Sequence, residues 1–284
     1  IATISNTNGV FTITPSTDTN NAGTFTLTIS VTDGVNGAVS ASSNITLDFV
    51  VLITNSRYTN SLVTATSTGD NDDITDSSSS NHTVTVSGDA YAGTFSPYRH
   101  GGYSIYFTSS DSMKFSENTI FNMGTGAFTI EMWIRPANTS SGNRRFYQNR
   151  NTGIANGRGS IYQNGTNLYM SYRGDDGTDY ELMGPYSVLA ANTWTHVCLL
   201  RDTSDNTLKF YANGSLLGSV SVGSTIGIYN SSSNTLLGKD FIGDMANIRV
   251  IKGAAQTPTS NSILAKPTNV TNTVLLMTGG NLAD

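Results

Sequence analysis

The stretch FTIEMWIRP, Phe128–Pro136, decides how this chain is read. Phe128, Ile130, Met132 and Ile134 recur at every second position, and Glu131 and Trp133 lie between them. Successive side chains of a strand point to opposite faces, so this period of two marks a β-strand with one wholly apolar face and one mixed face. WTHVCLLRD, Trp194–Asp202, repeats the design: Trp194, His196, Cys198 and Leu200 share one face, Val197 and Leu199 the other. Strands apolar on both faces belong inside a layered structure, covered on both sides by another sheet or layer.

Working outward, further strands are expected at Ser61–Thr66, Thr83–Val86, Ser104–Phe107, Ser160–Gln163, Leu168–Arg173, Leu208–Ala212 and Ala246–Ile251, spaced by Gly and Asn turns. Strands this numerous and short predict an antiparallel two-sheet sandwich or jelly roll. The clearest hairpin is Tyr211–Leu217, because Asn213-Gly214 favours a type I′ turn. Towards the start, Phe25, Leu27, Ile29 and Val31 alternate with Thr and Ser, as do Ile45, Leu47 and Phe49, with a hairpin turn expected at Asp33–Gly37. About fifty residues are too few for a complete immunoglobulin-like sandwich of roughly one hundred, so only part of such a domain is expected there.

Composition points the same way. Charged residues are 12% of the 284, and Glu occurs only at Glu117, Glu131 and Glu181 against seventeen Asp, which places acidic groups in turns rather than helices. A net charge of −5 with scattered Lys and Arg leaves no electrostatic footprint for nucleic acid. No apolar run approaches the length of a membrane span. A single cysteine, Cys198, excludes an internal disulfide. The chain opens on Ile1 without a signal sequence, and it is read as a segment of something longer.

Several segments carry a resemblance. TFTLTISVTDGVNGAVSASSNITL, Thr24–Leu47, resembles the immunoglobulin-like and cadherin-like repeats of large bacterial and phage surface proteins, which act as spacers. GGYSIYFTSSDSMKF, FTIEMWIRP, WTHVCLLRD, LKFYANGSLLGS and LLGKDFIGDMANIRVIKGAAQTP, in that order, resemble the laminin-G-like, concanavalin-A-like jelly roll of the tailed-phage surface-protein type. The expected organisation is therefore all-β: a partial immunoglobulin/cadherin-like spacer over residues 1–54 and one jelly roll over 55–284. The end of the chain, Thr273–Asp284, parallels Ser61–Thr66 and the acidic stretch after it, which fits either paired first and last strands or a truncated tandem array.

The chemistry expected is recognition, not catalysis. The Glu-x-Asp-x-x-Glu strand that sets carboxylates about 5 Å apart in jelly-roll glucanases is missing, and Asp179-Tyr180-Glu181 is the nearest approach to it. His196 and Cys198 share a strand face, but their apolar neighbours imply a buried, inert thiol. Sugar binding uses exposed aromatic faces with hydrogen-bonding groups beside them. In Leu168–Arg173, Tyr169, Ser171 and Arg173 should point outward, with Tyr147 and Tyr162 on neighbouring strands, so Tyr147, Tyr162, Tyr169 and Arg173 are the candidate carbohydrate-binding residues. Calcium is the metal that loop carboxylates suit, and Asp70, Asp72, Asp73 and Asp76 are its candidate ligands. A second acidic loop holds Asp175, Asp176 and Asp179. The resemblance also implies calcium near the first strand and on the penultimate one, although the position where the family places an acidic residue holds Ala246.

These readings make the chain a non-catalytic module of a surface or virion protein, a phage tail-fibre or capsid-fibre component that recognises a host-surface glycan or another virion subunit. The expected setting is the virion surface or extracellular space, in a homo-oligomeric or tandem-repeat fibre. A purely structural virion module, a secreted bacterial adhesin and, last, a glycoside hydrolase are the competing expectations.

Overall fold

The computed structural model describes residues 2–7, 10–15, 23–27, 45–49, 62–65, 74–76, 78, 80–93, 97, 104–115, 119–140, 142–150, 159–227, 234–260, 262 and 267–277. Contacts divide the chain into a unit spanning Ile1–Ile53 and a larger one, Thr54–Gly280. In the first, β1 (Ala2–Thr7) pairs antiparallel with β2 (Val10–Pro15), and β3 (Gly23–Leu27) with β4 (Ile45–Phe49). The turn expected at 33–37 lies outside the described residues.

The larger unit continues with β5 (Leu62–Ala65), β6 (Ile74–Asp76), β7 (Val84–Ser87), β8 (Tyr91–Gly93), β9 (Ser104–Phe107), β10 (Ser112–Phe115) and β11 (Phe128–Pro136). Next come β12 (Gly142–Arg150), β13 (Ser160–Gly165), β14 (Asn167–Arg173), β15 (Asp179–Pro185), β16 (Thr195–Asp202), β17 (Thr207–Ala212) and β18 (Ser215–Ser221). The series ends with β19 (Asn234–Leu237), β20 (Gly243–Lys252) and β21 (Thr273–Met277). Single 3-10 turns lie at Thr119–Phe121 and Tyr186–Val188. No helix among the described residues is long and apolar enough to cross a membrane.

These strands form a two-sheet jelly-roll sandwich. One sheet has seven strands in the order β15-β14-β13-β12-β19-β10-β7. The other has ten, with β18-β17-β16-β11-β20-β21-β5-β6 as its main path and β9 and β8 joined to β20. The pairings are antiparallel except for β21 beside β5, where Leu276 faces Leu62. The similar sequences at the two ends of this unit therefore belong to neighbouring strands. The hairpin between β17 and β18 turns on Asn213 (φ 48°) and Gly214 (φ 78°), both in the left-handed region that a type I′ turn needs.

The main core lies between the sheets. Phe128, Ile130, Met132 and Ile134 of β11 and Val197 and Leu199 of β16 meet Met113, Phe115, Phe146, Ile161, Leu168, Met170, Tyr172 and Leu237 from the opposing sheet. The other face of β11 and β16 is buried as well. There the Trp133 and His196 rings meet edge to face at 5.4 Å, Ala246 and Trp194 pack on Trp133, and Cys198 and Leu200 pack with Tyr211 and Ala255.

The cover on that second face is the chain between β20 and β21. Thr129 Oγ1 donates to Ala254 O at 3.0 Å and accepts from Gln256 N at 2.8 Å, and Arg249 Nη1 donates to Thr268 O at 2.9 Å. Beneath it the Glu131 carboxylate accepts from Arg249 Nε at 2.6 Å, pairs with Arg249 Nη2, and meets His196 Nε2 at 3.2 Å. Burial works to raise the Glu131 carboxyl, but the His196 hydrogen bond and the Arg249 charge outweigh it and hold the group below the ordinary carboxylate range. Cys198 is fully buried here, its thiol pushed well up first by burial and then by the charge of Glu131, so it is inert.

Candidate functional site

The outer face of the seven-stranded sheet is built differently. β14 follows the pleat strictly: Leu168, Met170 and Tyr172 are buried inward, so Asn167, Tyr169, Ser171 and Arg173 face out. On β13, Ile161 points into the core and Tyr162 outward. Register then aligns Arg145 with Tyr162, Tyr162 with Tyr169, and Tyr169 with Met183 across four adjacent strands. The two tyrosine rings stack at 5.2 Å with 13° between their planes. A near-parallel pair at that separation is offset, which leaves part of each ring face uncovered by the other, and the Tyr169 hydroxyl accepts from Asn167 Nδ2 at 3.4 Å. Both rings are half-buried, and Met183 at the end of the row is 60% exposed.

The adjoining row aligns Gln148, Ser160, Ser171 and Glu181. The first three are buried and Glu181 is exposed. Beyond it Arg173 Nη1 pairs with Asp179 Oδ2 at 2.9 Å. The Tyr162 phenol is pushed up to about 12, first by burial and then by the negative charge of Glu181, with Arg145 opposing. Burial and the neighbouring Asp179 likewise push the Glu181 carboxyl up. The face thus combines aromatic surface, hydrogen-bonding rims and charges of both signs.

Three of the residues expected at a carbohydrate site, Tyr162, Tyr169 and Arg173, are brought onto this face. Tyr147 is not. A β-bulge lies between Arg145 and Tyr147, where Arg145 is opposite Tyr162 but Tyr147 is opposite the inward-facing Ile161. The extra residue reverses the alternation, and Tyr147 is 1% exposed in the core, its phenol raised by burial. Arg145, Glu181 and Met183 join the face unannounced. Strict alternation through Asp179-Tyr180-Glu181-Leu182-Met183 is the signal that places the last two.

Of the four candidate calcium ligands, Asp70, Asp72 and Asp73 lie outside the described residues. Asp76 is buried and its carboxylate closes a turn: Oδ1 accepts from Ser78 N at 2.9 Å, and Oδ2 accepts from His82 N and meets His82 Nδ1, each at 2.8 Å. Both oxygens therefore bond to the protein within this turn. In the second acidic loop, Asp176 accepts from Thr178 N, Thr178 Oγ1 and Tyr180 Oη, and Asp175 accepts from Gly227 N. The Thr178 hydrogen bonds lead in lowering the Asp176 carboxyl. Among the described residues, no group of three or more His, Cys, Asp or Glu is placed to hold a metal ion.

The sequence pattern described as the concanavalin A-like lectin/glucanases superfamily matches residues 107–256, which includes β11 to β20. No curated relative matches the sequence. Among solved structures, a point mutant of HCR/D has a TM-score of 0.53 at 14% identity, with 74% of this chain and 51% of that one covered. The receptor binding domain of botulinum neurotoxin D has a TM-score of 0.51 at 14% identity, with 69% and 50% covered. This chain spans about half the length of those structures, and at such identity the likeness is one of fold.

Proposed function

Because the chain belongs to the concanavalin A-like lectin/glucanases superfamily, we propose that it is a non-catalytic binding module whose carbohydrate site is the Tyr162–Tyr169 face of the seven-stranded sheet. The observation that carries this reading is the stacked, half-exposed tyrosine pair, fixed in register and flanked by Arg145, Glu181 and the Arg173–Asp179 ion pair. Aromatic surface of this kind receives the C–H face of a sugar, and the phenol rims and charged groups beside it bond its hydroxyls. The receptor binding domain of botulinum neurotoxin D has the same fold, which is in keeping with a role in recognition.

Catalysis is not favoured by this geometry. Asp179 is held in an ion pair by Arg173, and the sequence has no Glu-x-Asp-x-x-Glu strand of the kind that sets the carboxylates of jelly-roll glucanases across their concave face. The setting we favour is the surface of a virion, in a tail-fibre or capsid-fibre component, with Ile1–Ile53 as part of an immunoglobulin-like spacer and a host-surface glycan as the ligand. Calcium we assign to the acidic stretch of Asp70, Asp72, Asp73 and Asp76, and not to the tyrosine face.

A glycan array probed with the whole chain, with and without chelator, tests this. Binding that survives chelation and is lost in Tyr162→Ala and Tyr169→Ala variants of unchanged thermal stability is the expected result. Binding lost on chelation would move the site to the acidic loop. No binding to any glycan in either condition would sink the reading in favour of a structural module.

A further inference from the structure

The charges on the tyrosine face are unevenly satisfied. Arg173 is paired with Asp179 at 2.9 Å, and Arg145 reaches Asp240 at 3.5 Å. Among the described residues, no ion pair or side-chain hydrogen bond engages the Glu181 carboxylate, although it is exposed on the face beside the stacked rings. Register puts Glu181 one row from Tyr169 and Met183, and its charge is the strongest acting on the Tyr162 phenol. An uncompensated anion next to electron-rich ring surface is the pairing that receives an ammonium group, by Coulomb attraction from one side and the ring quadrupole from the other.

We propose that this face selects saccharides carrying a free amino group, with the ammonium between the Glu181 carboxylate and the Tyr162–Tyr169 pair. The proposal rests on the carbohydrate reading above and gives it a ligand class. N-acetylation removes the cation and leaves a neutral amide, which forfeits the Coulomb attraction to the carboxylate and the attraction to the ring faces. Saccharides bearing carboxylates meet Glu181 as a like charge and are disfavoured.

The test uses the whole chain and two matched probes, a β-linked glucosamine oligosaccharide and its fully N-acetylated counterpart, titrated by calorimetry. An ion pair and a cation–π contact at a partly exposed site together predict about tenfold tighter binding of the free amine near pH 6. The preference should fade towards about pH 9, where amines of this type lose their proton and Glu181 keeps its charge. Glu181→Gln should erase the preference, bringing the two probes to the same affinity, whereas Tyr162→Ala should abolish binding of both. Equal or tighter binding of the acetylated probe, still lost in Tyr162→Ala, would overturn the amine proposal and leave the carbohydrate reading standing. A preference undiminished in Glu181→Gln would also overturn it. Failure of either probe and of every arrayed glycan to bind would overturn both readings. Capture of a lysine-rich peptide without capture of the amino saccharide would overturn it in favour of a protein ligand.

Discussion

The sandwich has two outer faces assembled from the same kinds of residue and put to opposite uses. On the ten-stranded sheet, Glu131, His196 and Trp133 are buried, Arg249 bonds both to Glu131 and to the chain that joins β20 to β21, and the Glu131 carboxylate finds its partners in Arg249 and His196. On the seven-stranded sheet, Glu181, Arg173, Tyr162 and Tyr169 are partly wet, and Glu181 is left unsatisfied among the described residues. A carboxylate, an arginine and aromatic rings on a strand face therefore mean architecture where they are covered and recognition where they are not. The difference lies in the cover, because a buried ion must find its partners inside the protein while an exposed one can wait for a ligand.

Mutation should separate the two faces sharply. Arg249→Met strands the Glu131 carboxylate in the dry layer, and breaking a buried pair in this way should cost about 3–5 kcal/mol in denaturant unfolding, with no change in ligand affinity of the folded protein. Truncating a large buried ring costs a similar amount, so Tyr147→Ala is expected to lose about 3–5 kcal/mol. Tyr162→Ala, on the neighbouring strand but on the open side, should lose less than about 1 kcal/mol while abolishing glycan binding. If Tyr147→Ala instead removed binding at unchanged stability, the bulge between Arg145 and Tyr147 would be misplaced and the two tyrosines would share a face.

A pH titration sharpens the same contrast. The Glu131 carboxyl is held below its unfolded value of 4.5, so its contribution is fully present above that pH and is lost as pH falls through the lower, folded value. Unfolding free energy of the native protein should therefore decline more steeply with acid below about pH 4.5 than that of Glu131→Gln. Parallel curves for the two proteins would show that the covered network is not what acid undoes. The smallest effect expected is chemical: Cys198 should resist alkylation in the native state and react on unfolding, which reports directly on whether the cover stays closed.

Much of this was legible in order. Alternation in Phe128–Ile134 and Leu168–Arg173 assigned each residue to one of two faces, and the structure keeps those assignments. Tyr147 escaped because a bulge changes the parity of a strand, and Gly142–Arg150 has no apolar alternation through which an added residue would show. The turn that Asp76 closes on His82 was not legible, because an acidic run reads the same whether its oxygens face solvent or bond to a neighbour.

What the sequence by itself determined is the strand content, the sandwich, and which side chains stand together on a strand, because the pleat is a local property with a period of two. What covers the second face of β11 and β16 was decided only by tertiary structure. The cover over β11 is fastened by Thr129 to Ala254, 125 residues along the chain, and no periodicity within either strand carries information across that separation.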